Sequence, residues 1–185
     1  MKQTRINGSL KYEESMAKKK EEVKYSVILD TSFMIRLLSA SDKLHANALG
    51  YFRYYLEHGI PMYFSTVSVA EYCVKGDFQD LPFRNIRILP FNIFHAKEAG
   101  RFANALYTAR TNGSIEVPDR LIIPNDSKIF AQGSVEKDIR YFVTADVKSK
   151  NVIETLRIMC AADIEHLDIN IPHTTHYGLL DFGTE

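Results

Sequence analysis

Tryptophan is absent from this chain of 185 residues, and only two cysteines occur, Cys73 and Cys160. Two thiols cannot build a disulfide framework, and both lie in apolar helical patterns, so we interpret them as buried free thiols in a reducing compartment. Glycine (9) and proline (6) are sparse, and no linker rich in either residue divides the chain. These shortages favour one compact domain with extensions, long enough to bury a sizeable core.

The chain also lacks an excess charge and a long apolar run. Lys plus Arg and Asp plus Glu number 23 each, so any nucleic-acid binding would depend on local basic patches. No apolar segment approaches membrane-spanning length, and the charged amino terminus has no signal-peptide core. We therefore expect a soluble, cytoplasmic protein.

Hydrophobic patterns predict strands that alternate with helices. Short apolar, β-branched runs indicate strands, and apolar residues at helical spacing indicate the helices between them. The predicted strands are 27–29, 62–64, 85–90 and 141–144, with 164–169 as a candidate edge strand, and the later helices are 44–58, 67–74, 93–110, one opening at 126, and 152–162. Such alternation is typical of parallel βαβ units with right-handed crossovers. The aromatic stripe of the 44–58 helix indicates core or dimer packing more often than base stacking.

The stretch YSVILDTSFMIRLL, residues 25–38, contains the first strand and the helix that follows it. Asp30 stands at the carboxyl end of the apolar run, and Thr31 and Ser32 come next. The helical pattern then consists of Phe33, Ile35, Leu37 and Leu38. Open α/β sheets bind their ligands at the carboxyl ends of strands, so Asp30 is a candidate site residue.

Three later acids have comparable positions. Glu71 lies in the helix after the second strand, Asp126 opens the helix before the fourth strand, and Asp146 follows the end of that strand. Since the carboxyl ends of parallel strands share one edge, these acids and Asp30 can converge there. Four crowded carboxylates would repel one another unless cations were bound, and hard divalent ions such as Mg²⁺ or Mn²⁺ suit oxygen ligands.

Each acid also has a purely structural interpretation. Asp30 could cap the helix that begins near Ser32, and the Ser68-x-x-Glu71 spacing matches a capping box. Asp126 would be favoured by the dipole of the helix it opens, and Asp146 could be a turn or N-cap residue. Taken singly, each acid fits its structural role better, and only their order along the chain favours a shared site.

The acids lie in four segments that resemble the motifs of the PIN-domain family of metal-dependent nucleases. In chain order the segments are ILDTSFMIRLL, FSTVSVAEYCVKG, IPNDSKIFAQG and YFVTAD. The resemblance covers roughly residues 25–169. It implies an α/β/α sandwich with a central parallel sheet of four to five strands, and a nuclease domain over 25–169.

The resemblance also implies a pocket of Asp30, Glu71, Asp126 and Asp146 that binds Mg²⁺ or Mn²⁺ and cleaves RNA. Many small bacterial PIN proteins are toxins of the VapC kind, active as dimers and inhibited by a co-encoded antitoxin, so we expect such partners here. Our hypothesis is that the three aspartates bind metal directly and that Glu71 binds a second ion or orients the attacking water. Short polar side chains suited to hold these acids by hydrogen bonds are Thr31, Ser32, Asn125 and Thr144.

The chain departs from the shortest VapC toxins at both ends. Residues 1–24 form a polar extension, read as a solvated helix or mobile arm, whose three lysines are offset by two adjacent glutamates. Residues 170–185 form a tail expected to pack on the domain or a partner through Tyr177, Leu179, Leu180 and Phe182. The acid or amide often found shortly after the fourth Asp has only Ser149 and Asn151 as counterparts.

Other interpretations stay open or are disfavoured. Asp119 competes with Asp126 as the third acid. A haloacid-dehalogenase phosphohydrolase would need an aspartate where Ser32 stands, and no glycine-rich turn supports dinucleotide binding. His173 and His176 lack the partners of a zinc site, and the isolated histidines are assigned no chemistry.

The main alternative is a catalytically inactive PIN-like RNA-binding or protein-interaction module. The basic residues that could hold phosphates are scattered: Arg36, Lys75, Lys128, Arg140, Lys148 and Lys150.

Overall fold

A five-stranded sheet, parallel throughout, lies at the centre of the structure, a computed structural model that describes residues 25–113 and 126–179. The strand order is β3-β2-β1-β4-β5. The strands are β1 Ser26–Leu29, β2 Met62–Ser65, β3 Arg87–Leu89, β4 Ile139–Thr144 and β5 Glu165–Asp168. The predicted α/β class with a parallel sheet is confirmed, and 164–169 does contribute the edge strand.

Helices cover both faces of the sheet. They are α1 Thr31–Leu38, α2 His45–Glu57, α3 Thr66–Tyr72, α4 Ile93–Thr111, α5 Asp126–Val135, α6 Ser149–Cys160 and α7 His173–His176, with a short 3₁₀ turn at Phe78–Asp80. Successive residues of β1 enter opposite cores: Val27 and Leu29 join the cluster of α1 and α2, and Ile28 joins that of α4, α5 and α6. This two-sided burial explains why Val27, Ile28 and Leu29 are apolar in succession rather than alternating with polar residues.

The buried face of α1 differs from the predicted pattern. Phe33 and Leu37 are buried as the spacing suggests, but Met34 is buried with them. Ile35 and Leu38 are 44% and 38% exposed. Residues 33, 34 and 37 lie on one side of a helix, and that side faces the sheet and α2 because α1 begins directly after Asp30.

Two further predictions about local structure are wrong. Cys73 is exposed, because α3 ends at Tyr72 and places Cys73 on the turn that caps it, whereas Cys160 is buried as expected. The capping box at 68–71 does not form, because α3 begins three residues earlier with Ser65 as its N-cap. The Ser65 hydroxyl accepts a hydrogen bond from Val67 N at 2.9 Å.

The aromatic stripe of α2 belongs to the core of the chain. Tyr51 and Tyr55 are fully buried, and the ring of Tyr54 stacks on Tyr177 with 4.1 Å between centroids. The Tyr51 hydroxyl donates a hydrogen bond to the carbonyl of Ile171 at 2.9 Å. Residues 171–179 therefore pack along α2. Residues 1–24, 114–125 and 180–185 lie outside the described residues, and with them Asp119, Asn125, Leu180 and Phe182.

Within the described ranges, no helix has both the length and the apolarity needed to cross a lipid bilayer.

Candidate active site

The carboxyl ends of three adjacent strands meet at the centre of one sheet edge. Leu29 at the end of β1 is in register with Phe64 of β2 on one side and Val143 of β4 on the other. The polar segments that leave these strands, at 30–32, 65–71 and 144–146, are therefore neighbours in space. Helix α5, which begins with Asp126, lies against both α3 and β4.

Asp30 is the most buried of the four acids, with 8% of its surface exposed. Its Oδ2 accepts hydrogen bonds from Ser32 N at 3.2 Å, from the Ser32 hydroxyl, and from the Thr144 hydroxyl at 2.8 Å. Burial raises the pKa of Asp30, and the hydrogen bonds from Ser32 and Thr144 oppose that rise. Asp30 is the N-cap of α1, so its structural role and a place in a site coexist.

The two hydroxyls that contact Asp30 are themselves oriented by the backbone. Ser32 Oγ accepts from Ala145 N, and Thr144 Oγ1 accepts from Asp146 N, both at 3.0 Å. Because these lone pairs are occupied by N–H donors, the hydroxyl protons are directed toward the Asp30 carboxylate. The network links the end of β1 to the segment that carries Asp146.

Glu71 is held by a residue adjacent to Asp30. The Thr31 hydroxyl donates a hydrogen bond to Glu71 Oε2 at 2.5 Å. Since α3 is capped by Ser65, the Glu71 side chain is not engaged at the helix start and extends toward α1. The buried hydroxyl of Ser68, the other half of the predicted capping box, has no hydrogen-bond partner within the described residues.

Asp126 and the other three acids share one electrostatic environment. The pKa of Asp126 is raised to about 7, chiefly by burial and in addition by the negative charges of Asp30, Glu71 and Asp146. Charges influence one another in this way only when they are close and poorly screened. The structure thus brings all four sequence-predicted acids to the same edge of the sheet.

Asp146 stands at the more open side of this edge. Its Oδ1 accepts a hydrogen bond from Lys148 N at 2.9 Å, in a turn that leads into α6. The Asp146 carbonyl accepts from the Ser149 hydroxyl at 2.6 Å and lies 3.3 Å from His166 Nε2. Ser149 therefore shapes the turn rather than supplying an acidic ligand.

The donor set fits a hard divalent cation. Carboxylate and hydroxyl oxygens predominate, as Mg²⁺ and Mn²⁺ prefer. The pKa of Asp126 is raised by burial first and then by the charges of the other acids, and a dication would relieve that repulsion. Among the described residues, however, no group of three or more His, Cys, Asp or Glu side chains is arranged as a ready metal centre. The acids lie near one another, and their carboxylates would have to draw together around a bound ion.

Acids and histidines outside this group have other surroundings. Asp168 ends β5, and its Oδ1 accepts a hydrogen bond from Asn170 N at 2.8 Å. It does not contribute to the raised pKa of Asp126. His173 and His176 pack against Tyr51, and burial lowers the pKa of His176.

Sequence reasoning missed the residues that brace the Asp146 segment. Asn170 Nδ2 donates to the Ala145 carbonyl at 3.1 Å, and Ile169 N donates to the Thr144 carbonyl at 3.0 Å. His166, assigned no chemistry from the sequence, approaches the Asp146 carbonyl as described above. The only signal for them was their place at the end of the edge strand, which pairs with β4.

Comparison with known proteins rests on solved structures, because no family model and no curated protein matches the chain. A chain of the VapBC2 structure from Rickettsia felis is 16% identical, with a TM-score of 0.50 over 77% of this chain and 98% of the other. A chain of the VapBC-1 structure from nontypeable Haemophilus influenzae is also 16% identical, with a TM-score of 0.51 over 78% and 98%.

The parallel sheet with helices on both faces is a PIN-domain fold, as the sequence motifs implied. Within that class the fold is VapC-like, since the similar solved structures are VapBC structures.

Proposed function

We propose that the protein is a divalent-metal-dependent endoribonuclease that hydrolyses RNA phosphodiester bonds. The observation that carries the proposal is the hydrogen-bonded cluster at the sheet edge, in which Thr144 donates to Asp30 and Thr31 donates to Glu71. Burial, with the negative charges of the other three acids, raises the pKa of Asp126 to about 7 and supports the same grouping. A protein that merely bound RNA would gain nothing from carboxylates crowded against an anionic ligand. A nuclease that neutralises its acids with cations uses the same crowding to hold those cations.

The proposed residue roles are those expected from the sequence, and the hydrogen bonds support them. Asp30, Asp126 and Asp146 would hold the metal, and Glu71 would hold a second ion or orient the attacking water. When bound, the metal supplies charge neutralisation at phosphorus and a lowered pKa for a bound water. Thr31 keeps Glu71 directed toward Asp30, while the hydroxyls named above orient the Asp30 carboxylate. Asn125 keeps its proposed supporting role and lies outside the described residues.

Replacing Asp30 with Asn tests the proposal. The amide keeps an oxygen that can accept bonds from Ser32 and Thr144, but it removes the charge. Cleavage of a labelled RNA in Mn²⁺ should be abolished, and chelation should abolish it in the unmodified protein. Asp163→Asn, at an exposed acid outside the group, is the matched control. Undiminished cleavage by a folded Asp30→Asn variant would refute the assignment.

The biological setting proposed is a toxin–antitoxin pair in which the protein is the toxin. The similar structures are VapBC assemblies, one of them described as bound to a promoter DNA fragment. By analogy the protein has an antitoxin encoded beside it and acts as a homodimer. Co-expression with the product of a small neighbouring gene should relieve growth inhibition and yield a complex. Light scattering of the isolated protein measures whether it is a dimer.

The second candidate is a catalytically inactive PIN-like module that binds RNA or protein. The absence of a ready metal centre among the described residues favours it. Thermal unfolding at increasing Mn²⁺ concentrations separates the candidates, because a ligand that binds the folded state raises the melting temperature. A nuclease site should give a rise that Asp30→Asn removes, whereas an inactive module should give none.

A further inference from the structure

Gln132 is a fully buried amide on α5 that contacts the ends of two strands. Its Oε1 accepts a hydrogen bond from the Ser65 hydroxyl at 2.5 Å, and its Nε2 donates to the Leu89 carbonyl at 3.1 Å. Ser65 is the last residue of β2 and Leu89 the last residue of β3, and the two are in register. One side chain of α5 therefore joins the carboxyl ends of two neighbouring parallel strands.

Both hydrogen bonds of this amide have a fixed direction. The Leu89 carbonyl can only accept, so the Gln132 nitrogen must face it and the amide oxygen must face Ser65. The Ser65 hydroxyl accepts a hydrogen bond from Val67 N as the N-cap of α3, which directs its proton toward Gln132. This position thus requires a donor and an acceptor at the tip of one side chain, and glutamine supplies both.

The contact between Gln132 and Ser65 links two helices that each carry a candidate metal ligand. Asp126, the first residue of α5, lies about 9 Å before Gln132 along the helix axis. Glu71 lies a comparable distance after Ser65 on α3. A hydrogen-bonded helix is rigid over so short a length, so a fixed contact between Gln132 and Ser65 also fixes where the two acids stand.

Glu71 and the first turn of α5 border the same space. A cavity of about 460 Å³ between α3 and α5 is lined by Glu71 and, from the first turn of α5, by Lys128. Rotation or sliding of α5 against α3 would therefore change the separation of the Glu71 and Asp126 carboxylates. That separation is critical for a bound ion, because Mg²⁺ holds its oxygen ligands at about 2.1 Å with little tolerance.

Other contacts place the remaining acids or the depth of α5, but they do not fix its orientation. The hydroxyls of Thr144 and Thr31 hold the segments of the other three acids, and neither residue belongs to α5. Gly133 lets α5 lie close to the sheet, since a Cβ there would collide with Ile164. An apolar contact of this kind is not directional, whereas the two hydrogen bonds of Gln132 are.

We infer that Gln132 is a positioning residue that fixes α5 against α3 and thereby sets the separation of Asp126 and Glu71 required by a divalent cation. The inference rests on the proposed function, because it concerns the cation of the proposed nuclease site. Since Gln132 is fully buried, it acts through the helix that it holds and not by contact with RNA.

A purely structural role is the competing explanation, in which the amide only satisfies buried polar groups. Both explanations predict that Gln132→Met, which keeps the length but removes both hydrogen bonds, lowers the melting temperature by about 2–10 °C. Only the positioning role predicts that the folded variant also binds metal more weakly. The decisive measurement is therefore metal binding by folded protein in the absence of RNA.

Titration with Mn²⁺, followed by electron paramagnetic resonance at a temperature where all variants are folded, gives the dissociation constant. Gln132→Met should raise that constant about tenfold, as loss of a group that orients metal ligands typically does. His95→Leu is the matched control, because His95 is equally buried and its Nε2 lies 2.9 Å from Glu136 Oε1, beyond the end of α5 opposite to Asp126. It should lower the melting temperature and leave the dissociation constant unchanged.

The Ser65 side of the contact is tested by a double-mutant cycle. Ser65→Ala should also weaken Mn²⁺ binding, because Gln132 loses its donor and α3 loses a capping bond. The double variant Ser65→Ala with Gln132→Met should lose less affinity than the two single losses combined, since both changes break the same contact. In RNA cleavage, Gln132→Met should raise the Mn²⁺ concentration for the half-maximal rate about tenfold and leave KM for RNA unchanged.

Three results would overturn the inference and leave the proposed function intact. These are an unchanged dissociation constant for folded Gln132→Met, an equal loss of affinity in His95→Leu, and fully additive losses in the double variant. If Gln132→Met does not fold, Ser65→Ala takes its place in the titration, and an unchanged constant again overturns the inference. A lack of Mn²⁺ binding by the unmodified protein would instead refute the proposed function, and the inference with it.

Discussion

Thr144 Oγ1 donates a hydrogen bond to Asp30 Oδ2 over 2.8 Å, and this contact joins the carboxyl ends of two neighbouring parallel strands. Both residues are buried, and the Thr144 hydroxyl also accepts a bond from Asp146 N. One hydroxyl thus connects the positions of two of the four acids. Removal of the Thr144 hydroxyl should therefore lower the stability of the protein and also disturb the positions of Asp30 and Asp146.

Thr144→Val should destabilise the protein by about 1–3 kcal/mol, since it keeps the shape but removes one donor to the buried Asp30 carboxylate and leaves the Asp146 N–H without its acceptor. Urea unfolding in the absence of metal measures the change. Thr108→Val is the control, because the Thr108 hydroxyl makes only an exposed bond to the Asn104 carbonyl on α4. Equal stability of the two variants would show that the Thr144–Asp30 contact is not significant.

The metal-free protein should lose stability as the pH rises from about 5 to 8. The pKa of Asp126 is about 7 in the folded state, against 3.8 for a free side chain, so the folded state binds the proton more tightly. The stabilisation by that proton is complete below the unfolded pKa and disappears as the pH passes the folded one.

Asp126→Asn isolates this effect, since the amide does not titrate. In EDTA, the melting temperature of the variant should depend less on pH than that of the unmodified protein, and it should be higher at pH 8. Mn²⁺ should make the melting temperature of the unmodified protein depend less on pH, because the bound ion compensates the carboxylate charges. Parallel pH profiles for the two proteins in EDTA would contradict the shared electrostatic environment.

Thr31→Val tests the hold on Glu71. If the proposed nuclease activity is present, kcat should fall about 10–100-fold with little change in KM, because Glu71 loses the donor that orients it. Thr31→Ser keeps the hydroxyl and should restore most of the rate. Equal rates for the Val and Ser variants would mean that the hydrogen bond does not position Glu71.

Two glycines on neighbouring helices give a matched pair for packing. A Cβ at Gly133 of α5 would collide with the buried side chain of Ile164, so Gly133→Ala should destabilise the protein by about 1–3 kcal/mol. Gly100 of α4 has open space, so Gly100→Ala should be neutral or stabilising by up to about 1 kcal/mol. Because α5 begins with Asp126, Gly133→Ala should also weaken stabilisation by Mn²⁺.

Chemical denaturation of both glycine variants, with and without Mn²⁺, measures these effects. Similar stability of the two would show that α5 can move away from the sheet without cost.

The strand positions could be predicted because the strands contain short runs of apolar residues that are recognisable in the sequence. Val27, Ile28 and Leu29 are apolar in succession, as a strand covered on both faces must be, and a carboxylate follows at once. The orientation of α1 was less predictable. The exposure of Ile35 and Leu38 depends on where the helix begins and on what it packs against, and neither is encoded locally.

The capping of α3 shows the same limit. The sequence offers Ser65 and Thr66 as caps of this helix, and the 68–71 spacing offers a capping box as well. The structure uses Ser65. The choice depends on where β2 ends, and pairing with β1 and β3 extends β2 through Ser65. Cys73 is exposed because α3 ends at Tyr72, two residues before the end of the predicted helix at 67–74.

By itself, the sequence determined the alternating elements, the parallel sheet and four acids that follow apolar runs or open helices. Local hydrophobic periodicity is sufficient for these, because each element must bury its own face. Only the tertiary structure decided that Asp126 shares an environment with Asp30, Glu71 and Asp146, and that the hydroxyls of Thr31, Ser32 and Thr144 hold two of these acids. Those relationships depend on strand order and register, which join residues far apart in the chain, and no local pattern specifies such distances.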